Sequence, residues 1–367
     1  MIRKLKPTEI DKFIDFGDEL YKNDPNYVPY IRSDLKKTLK KLIFKRKKYK
    51  CICSFDESGK MNGRVLITIA RNKQLNVEYC GYFSHFEVVN DQNVFNELMD
   101  SVQKSLKRNG AKYIVGSFFH HDPDNRRGIL IEGFDRSPMI FTSHNPDYYK
   151  TLFENGGFEK LTDAYEYEYK SDPEKLQKIK DTAEKALKEN SITISKLNMK
   201  NLDKEIDDVH TIMKSASTDV NFESVPSRSK LKKLVLSWKR FIDPDYAFIA
   251  RRNSDGAPIG FTLSIPDYFE LIKKMKGRTG PIALLVYLFG RKKIKGLRGV
   301  LQYVIPEYQH KGISKALYYE TKKSVDKNHI TRISLGTIME NNASSNGAIE
   351  SLGGVLSRVY RVYYKKL

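Results

Sequence analysis

Apolar and polar residues along the chain predict one order of secondary-structure elements, and this order occurs twice. Residues 2–15 show a short strand pattern and then the spacing of an amphipathic helix, and residues 194–207 repeat both with the same internal distances. Each copy continues into a predicted hairpin, whose tip carries Ser58-Gly59 in the first copy and Asp255-Gly256 in the second. The chain is therefore predicted to be a tandem of two related units.

The ends of the two copies also match. A predicted helix ends at Gly156-Gly157 in the first and at Gly353-Gly354 in the second, and a strand of alternating residues follows each glycine pair. Between the copies, Asp172-Pro173 begins a charged helical stretch. We predict an α/β (α+β) fold of two tandem domains, each a mixed, mostly antiparallel sheet flanked by helices. The predicted boundaries are 1–170 for the first domain, 171–190 for the connector and 191–367 for the second domain.

Composition limits the class of protein. The chain has 367 residues and a formal net charge of +20, from 65 Lys and Arg against 45 Asp and Glu. It lacks the apolar stretch of ~20 residues that a transmembrane helix needs, so no membrane partner is expected. Cys51 and Cys53 lack zinc-ligand spacing, and the adjacent His120-His121 would face opposite sides of a strand, so no metal is expected. Three cysteines cannot form a disulfide scaffold, which favours a reducing, cytoplasmic location.

The excess of positive charge favours a phosphate-bearing partner, without choosing among nucleic acid, anionic lipid and a nucleotide-like cofactor. The densest basic run spans residues 36–48. Apolar residues at helical spacing lie beneath its lysines: Leu35, Leu39, Leu42 and Ile43. The run is predicted to be an amphipathic surface helix with a solvated face, and nucleic acid is not the expected partner. A second cluster, Arg291-Lys292-Lys293, comes shortly before the strongest motif of the chain, where a phosphate role is expected.

That motif is a predicted strand, loop and helix between residues 301 and 317. The strand ends at Pro306, which has no N–H to pair, and Gly312 comes just before the helix. The N–H groups at a helix start are unpaired and carry the positive end of the helix dipole, so the loop suits an anion. Lys311 and Lys315 add positive charge. An ordinary strand–loop–helix connection is the alternative.

Together with its surroundings, this stretch resembles the acetyl-CoA signature of the GCN5-related N-acetyltransferases, the GNAT superfamily. Gln309-x-x-Gly312-x-Ser314 follows the family pattern Gln/Arg-x-x-Gly-x-Gly/Ala, with Ser in the last position. The predicted strand at 332–338, which leads to Asn342, is similar to the family's next motif. The resemblance extends over nearly the whole chain to a bacterial group of two-domain acetyltransferase-like proteins. It implies the GNAT fold, with acetyl-CoA or another acyl-CoA as cofactor.

The resemblance also implies which residues hold the cofactor. In the family, the strand before the loop splays open, and its N–H groups hold the pantetheine arm and polarise the thioester carbonyl. The residues so assigned are Tyr303, Val304, Ile305, Gln309, His310, Lys311, Gly312, Ile313, Ser314, Lys315 and Asn342. The corresponding point of the first half carries Glu87 and Asp91 instead of glycine and lysine, and Asp91 suits a helix N-cap. The first domain is therefore predicted to have lost CoA binding and to shape the acceptor groove.

Acyl transfer also needs a base for the attacking amine and an acid for the leaving thiolate. Sequence position favours three carboxylates as the base: Glu307, Asp267 and Glu340. A solvated or capping role is the alternative for each of them. The family's usual acid is a tyrosine seven residues after the helix-start asparagine, and Ile349 stands there. Three tyrosines are candidate replacements: Tyr318, Tyr319 and Tyr360. If none serves, the thiolate leaves unassisted.

The resulting hypothesis is an acyl-CoA-dependent N-acyltransferase that acts on an amine of a small molecule or metabolite in a ternary complex. One alternative is a CoA-binding regulatory or interaction protein without turnover, which the isoleucine at position 349 favours. Another is an aminoacyl-tRNA-dependent transferase of the peptidoglycan-bridge type, for which the net charge of +20 would provide tRNA contact. The intact Gln309 loop and the lack of a predicted long helical hairpin argue against that alternative. The sequence leaves the oligomeric state open.

Overall fold

A computed structural model describes residues 1–45, 48–118, 126–216, 225–239 and 241–367. Its described strands form one continuous mixed sheet of thirteen members. The strands are β1 (Ile2–Lys4), β2 (Lys50–Phe55), β3 (Met61–Asn72), β4 (Val77–Val88), β5 (Tyr113–Gly116), β6 (Ile129–Glu132), β7 (Glu159–Tyr169), β8 (Ile192–Lys196), β9 (Ala247–Arg252), β10 (Pro258–Pro266), β11 (Gly296–Val304), β12 (Arg332–Met339) and β13 (Gly354–Lys366).

Helices flank this sheet. They are α1 (Ile10–Leu20), α2 (Arg32–Leu39), α3 (Gln92–Lys107), α4 (Tyr149–Asn155), α5 (Pro173–Glu189), α6 (Leu202–Ala216), α7 (Arg228–Trp238), α8 (Phe269–Lys274), α9 (Pro281–Gly290), α10 (Ile313–Lys327) and α11 (Ala343–Ser351). The predicted mixed, mostly antiparallel fold is confirmed, because only β4–β5 and β11–β12 pair in parallel among the described strands. None of the described helices has both the length and the apolar character needed to cross a bilayer.

The predicted repeat is present in the pairing of the strands. Both hairpins form, as β2–β3 and β9–β10, and each leads to a long strand that runs into a helix. The register is equivalent as well: Gly63 pairs with Val88 in the first half, and Gly260 pairs with Val304 in the second. Val88 and Val304 therefore occupy the same position in the two copies.

The two halves exchange their last strands, which the sequence did not predict. The order across the sheet is β1-β2-β3-β4-β5-β13-β7-β12-β11-β10-β9-β8, with β6 pairing β13 from outside this path. Strand β7 of the first half thus lies beside β12 of the second, and β13 of the second lies beside β5 of the first. The predicted domain boundaries at residues 170 and 191 remain a prediction. Strands of one half are hydrogen-bonded to strands of the other, so the sheet itself does not divide at these residues.

Aromatic packing makes β13 part of the core of the first half. Tyr363 is buried and its ring stacks on Phe153 at 5.0 Å between centroids. Phe153 in turn packs against Phe83 and Phe95, both of which are fully buried. The hydrophobic core of the first half is therefore completed by the last strand of the chain.

The charged segments also take defined places. Leu35, Leu39 and Leu42 are buried beneath the lysines of α2 and the following helical turn, which confirms the predicted amphipathic helix. Two positions of that basic run, 46 and 47, lie outside the described residues, as does the pair His120-His121. The predicted connector forms α5, which begins at the N-cap Asp172 and packs along α10.

Candidate acyl-transfer site

The central feature of the second half is a wedge-shaped opening between β11 and β12. These parallel strands pair only from Gly296 with Arg332 to Gly299 with Leu335, and then diverge. The register of β10 against β11 shifts at the same level, so Val300 is an extra residue in β11. The splayed strand that the family resemblance implies is therefore present, and one edge of β11 is open from residue 300 to residue 304.

The main chain of Val304 faces this opening. The N–H of Ile305 donates to the carbonyl of Ile259 at 2.9 Å, on the β10 side. Alternation along an antiparallel pair then turns the N–H and C=O of Val304 to the opposite side, toward the opening. There Gln309 Nε2 donates to the carbonyl of Val304 at 3.0 Å, so the loop glutamine covers the strand end. The side chain of Tyr303, by contrast, packs in the core, where its ring stacks on Phe261 with 5.6 Å between the ring centroids.

The loop at the wide end of the opening has the conformation of an anion site. His310 and Gly312 both adopt positive φ angles, of 59° and 82°, and such turns point successive N–H groups to one side. Helix α10 begins at Gly312 without a side-chain cap, so the N–H groups of its first turn are left for a ligand. Lys311 lies exposed with its Nζ 5.1 Å from the ring centre of Tyr308. These groups fit a pyrophosphate.

Gly312 has a second reason to be glycine that the sequence did not reveal. A Cβ atom built on it would lie 2.9 Å from the Cβ of Ala186 and 3.2 Å from Cγ2 of Thr182, both on α5. The connector helix therefore packs directly against the loop. Close helix packing and the left-handed backbone both require glycine here, in addition to any approach of a phosphate.

In the first half, protein groups occupy the equivalent positions. Tyr148 Oη donates to the carbonyl of Val88 at 2.8 Å, and the N–H of Val88 donates to Tyr149 Oη at 3.0 Å. Asp91 caps α3 by accepting from the N–H groups of residues 93 and 94, at 2.8 and 3.1 Å. The predicted N-cap is confirmed, and its carboxylate lies where an anion would bind. Glu87 points inward and accepts from Tyr149, and burial raises its pKa.

A buried polar network lies at the closed end of the opening, where β11 and β12 are still paired. At its centre Glu166 accepts hydrogen bonds from Ser334 Oγ and Tyr360 Oη, each at 2.6 Å. Arg298 Nη1 lies 4.0 Å from the same carboxylate, and Arg358 Nη1 lies 3.5 Å from Tyr360 Oη. Arg298 and Ser334 are register partners, one residue before the last paired position of β11 and β12.

The network faces the first half of the molecule. Leu297 packs with Val325 of α10, so its neighbour Arg298 points to the other face of the sheet. On that face a cleft between the halves adjoins the network. Its lining residues come from both halves and include Arg136, Met139, Glu166, Arg332, Ser334 and Arg358. The cleft therefore adjoins the closed end of the opening.

Positive charge dominates this centre. Burial lowers the pKa of Arg298, and burial together with the charge of Glu166 raises the pKa of Tyr360. Within the described part of the chain, Nη1 of Arg298 and Nε of Arg358 are buried without a hydrogen-bond partner. Two guanidinium groups around one carboxylate therefore retain capacity for a further anionic or carbonyl oxygen.

The three carboxylates chosen from the sequence lie elsewhere. Asp267 is fully buried; it accepts from Arg332 at 2.7 Å and from the N–H of Ile140 at 2.9 Å, and burial raises its pKa to about 6. Glu340 accepts from Lys160 at 2.6 Å. Glu307 is exposed on the turn before the phosphate loop. Asp267 ties the two halves together, and all three catalytic roles remain predictions.

Of the tyrosine candidates, only Tyr360 joins the network. Tyr318 is buried on α10, edge-on to Tyr169 at 5.8 Å, and Tyr319 lies under Lys323, whose Nζ is 5.6 Å from its ring centre. On α11, Asn342 caps the helix by accepting from the N–H of residue 345 at 3.0 Å. Sequence reasoning missed Glu166, because it lies in β7 and reaches this site only through the strand exchange.

The second basic cluster does not join the phosphate loop, contrary to the expectation from its place in the sequence. Arg291, Lys292 and Lys293 come before β11, whereas the loop follows it. Nine residues of strand separate the two, which at ~3.3 Å per residue is roughly 30 Å. The cluster therefore needs a different explanation.

The segment that forms the opening and its loop matches a known family of proteins. Residues 210–353 match the acetyltransferase (GNAT) family, and this range contains the opening, the loop and Asn342. Most of the second half therefore matches the GNAT family, and this match supports an enzyme of the N-acetyltransferase type. The whole chain aligns in structure with a tandem GNAT protein from the clavulanic acid biosynthesis pathway, with a TM-score of 0.59 and 10% identity, covering 100% of this chain and 98% of that one.

Two relatives are similar in sequence over nearly their full length. One is named bacterial ceramide synthase, from Caulobacter vibrioides, and is 25% identical over 377 residues, which cover 98% of this chain and 96% of the relative. The other is protein YghO of Escherichia coli, 24% identical over 384 residues, which cover 99% of this chain and 94% of the relative. The sequence similarity to both relatives therefore spans both halves of this chain.

Proposed function

We propose that the protein transfers an acyl group from an acyl-CoA thioester to an amine and so forms an amide. The observation that supports this most is a single opening that combines the unpaired edge of β11 with the uncapped start of α10. The equivalent edge of the first half is held by Tyr148 and Tyr149. One active centre for each chain follows.

The residues of the opening suit each part of the cofactor. The N–H groups at the start of α10, with Lys311 and Lys315 beside them, would hold the pyrophosphate. The N–H of Val304 would hydrogen-bond the pantetheine arm. Bound in this way, the cofactor supplies an activated thioester at the closed end of the opening.

The Glu166 network provides the proton transfers. The amine nitrogen attacks the thioester carbon, the carbon–sulfur bond breaks, and the amine loses one proton while the thiolate gains one. Glu166 would take the amine proton and Tyr360 would give its own proton to the sulfur. The proton on Glu166 would then pass to Tyr360 along their 2.6 Å hydrogen bond, which restores both groups. Arg298 and Arg358 stabilise the negative charge that develops on the carbonyl oxygen.

The acceptor class is a long-chain amine rather than a small polar metabolite. A ceramide is the amide of a fatty acid and a long-chain amine base, and the relative named bacterial ceramide synthase aligns over 98% of this chain. An acyl-CoA longer than acetyl-CoA follows as the donor. Small amines with acetyl-CoA are the alternative pair of substrates, and the experiment below includes them.

The experiment measures CoA release with a thiol reagent. Acyl-CoAs with acyl chains of two to eighteen carbons are each tested with short-chain and long-chain amines, and mass spectrometry identifies the amide product. Glu166→Gln is expected to lower kcat by about 100-fold and to leave the Kd for CoA unchanged. Glu159→Gln is the matched control, because its hydrogen bond with Tyr364 lies outside the network. CoA release no faster than hydrolysis with every amine would instead support the CoA-binding protein without turnover.

A further inference from the structure

Helix α9 exposes an apolar surface that the fold does not need. It has ten residues, Pro281–Gly290, and none of them is buried. Its large apolar side chains point to solvent, with exposed fractions of 79% for Ile282, 57% for Leu284, 52% for Leu285, 48% for Leu288 and 71% for Phe289. Exposed apolar side chains clustered in this way mark an interaction surface.

One stripe of α9 packs against the rest of the protein, and the other side of the helix does not. The ring of Tyr287 stacks on Tyr268 at 6.1 Å. A Cβ on Gly290 would lie 2.6 Å from Cδ2 of Leu271, so the helix packs closely on α8 at that point. The stripe occupies one side of the helix, so the outward side is apolar without a partner among the described residues.

The charges around α9 are of one sign. Lys276 and Arg278 come before the helix, and Arg291, Lys292 and Lys293 follow it on an exposed helical turn. The sequence has no Asp or Glu between Leu271 and Val300. An apolar surface bordered by lysine and arginine is complementary to a bilayer with anionic headgroups. A second copy of this chain fits poorly, because a two-fold pairing through α9 would place the two basic borders together.

We propose that α9 and its basic flanks bind the surface of an anionic phospholipid bilayer, with the helix lying in the plane of the interface. Ten residues give a helix about 15 Å long, which is too short to cross the bilayer. This proposal differs from the expectation of no membrane partner, which rested on the lack of a spanning segment. It goes beyond the acyl transfer proposed above and does not depend on it.

The position of α9 gives the contact a consequence. The helix lies in the connection from β10 to β11, which begins at Asp267 and ends at Gly296, where β11 starts its pairing with β12. Membrane contact would therefore hold the closed end of the opening, and the cleft beside it, near the lipid surface. An apolar amine or acyl chain would then reach the cleft without passing through water.

Cosedimentation of the full chain with sonicated vesicles tests the proposal. Binding is expected to vesicles of equal phosphatidylcholine and phosphatidylglycerol and to be weak with phosphatidylcholine alone. The variant R291E/K292E/K293E is expected to lower partitioning by about 100-fold. L285S/F289S is expected to lower it at least ~10-fold, since both side chains would leave the acyl region.

Matched controls separate α9 from general effects of charge and hydrophobicity. K37E/K40E/K41E makes the same charge change on the exposed lysines of α2 and its following turn, and L236S/L356S removes exposed leucines of 50% and 47% exposure elsewhere. Both controls are expected to bind vesicles like the wild type. Equal loss in the controls, or no binding by the wild type, would overturn the proposal. A change of oligomeric state in L285S/F289S with vesicle binding intact would assign the surface to a second copy instead.

Discussion

Tyr360 donates a 2.6 Å hydrogen bond to Glu166, and the two residues come from opposite halves of the chain. Glu166 lies in β7, the last strand of the first half, and Tyr360 lies in β13, the last strand of the second. These strands are hydrogen-bonded neighbours only because the halves exchange them. The proposed proton-transfer pair therefore exists only in the assembled tandem fold.

Replacing Tyr360 by Phe tests the acid role. The change removes the proton donor and keeps the ring, so kcat is expected to fall by about 100-fold with the Kd for CoA unchanged. Steady-state kinetics and calorimetry measure the two quantities. Tyr318→Phe is the control, because that buried ring lies on α10 away from the network. A higher kcat on changing Ile349 to Tyr would argue that the site lacks an internal donor, contrary to the role given to Tyr360.

One CoA is expected to bind per chain. The start of α10 is uncapped, whereas Asp91 caps α3 and tyrosine hydroxyls hold both main-chain groups of Val88. Calorimetry is expected to give a stoichiometry of one for the wild type and also for Asp91→Ala, since the two tyrosines still fill the strand edge. Two equivalent sites in the wild type would contradict the assignment of the first half as a scaffold.

Changing Gly312 to Ala is expected to destabilise the fold and weaken CoA binding. The φ angle of 82° and the approach of Ala186 to 2.9 Å each disfavour a side chain, at a combined cost of about 2–4 kcal/mol in unfolding free energy. Gly256→Ala is the matched control. Its φ angle is 71°, but nothing lies within 4 Å of the added Cβ, so about 1–2 kcal/mol is expected. Urea unfolding measures both, and equal losses would show that the contact with α5 does not matter.

Tyr363 is expected to stabilise the first half although it lies four positions from residue 367. Its ring is buried and stacks on Phe153, so Tyr363→Ala should cost about 3–5 kcal/mol. Val355→Ala, at a 51% exposed position of the same strand, should cost under about 0.5 kcal/mol. Hydrogen exchange of the amides of β5 would report the same loss locally. Unchanged protection of β5 in Tyr363→Ala would contradict the strand exchange.

The stability of the fold is expected to depend on pH through Asp267. Burial raises its pKa from 3.8 to about 6, so the folded state binds more protons than the unfolded state between these values. The unfolding free energy of the wild type should therefore fall as pH rises from 4 to 7, by about 2 kcal/mol relative to Asp267→Asn. Urea midpoints of both proteins across this range measure the difference. A wild-type stability that rises with pH relative to Asp267→Asn would mean that the ion pair with Arg332 outweighs burial.

Local patterns in the sequence determined the elements and the phosphate loop. The glycines at the hairpin tips, the N-caps Asp91 and Asp172 and the loop glycine Gly312 act through their own backbone or through neighbours a few residues away. Such signals can be read from the order of residues, and the tandem repeat follows from their recurrence. The absence of glycine and lysine at the equivalent point of the first half was visible for the same reason.

Only the tertiary structure decided which strand each half receives, and with it the composition of the proposed active centre. Glu166 reaches Ser334 across 168 positions of sequence and Tyr360 across 194, and no local spacing encodes either contact. The apolar face of α9 was likewise hidden, because a run of apolar residues predicts a buried element as readily as an exposed one. Burial depends on the packing of the whole chain, which leaves Ile282 and Phe289 in solvent and Tyr363 in a core built by the other half.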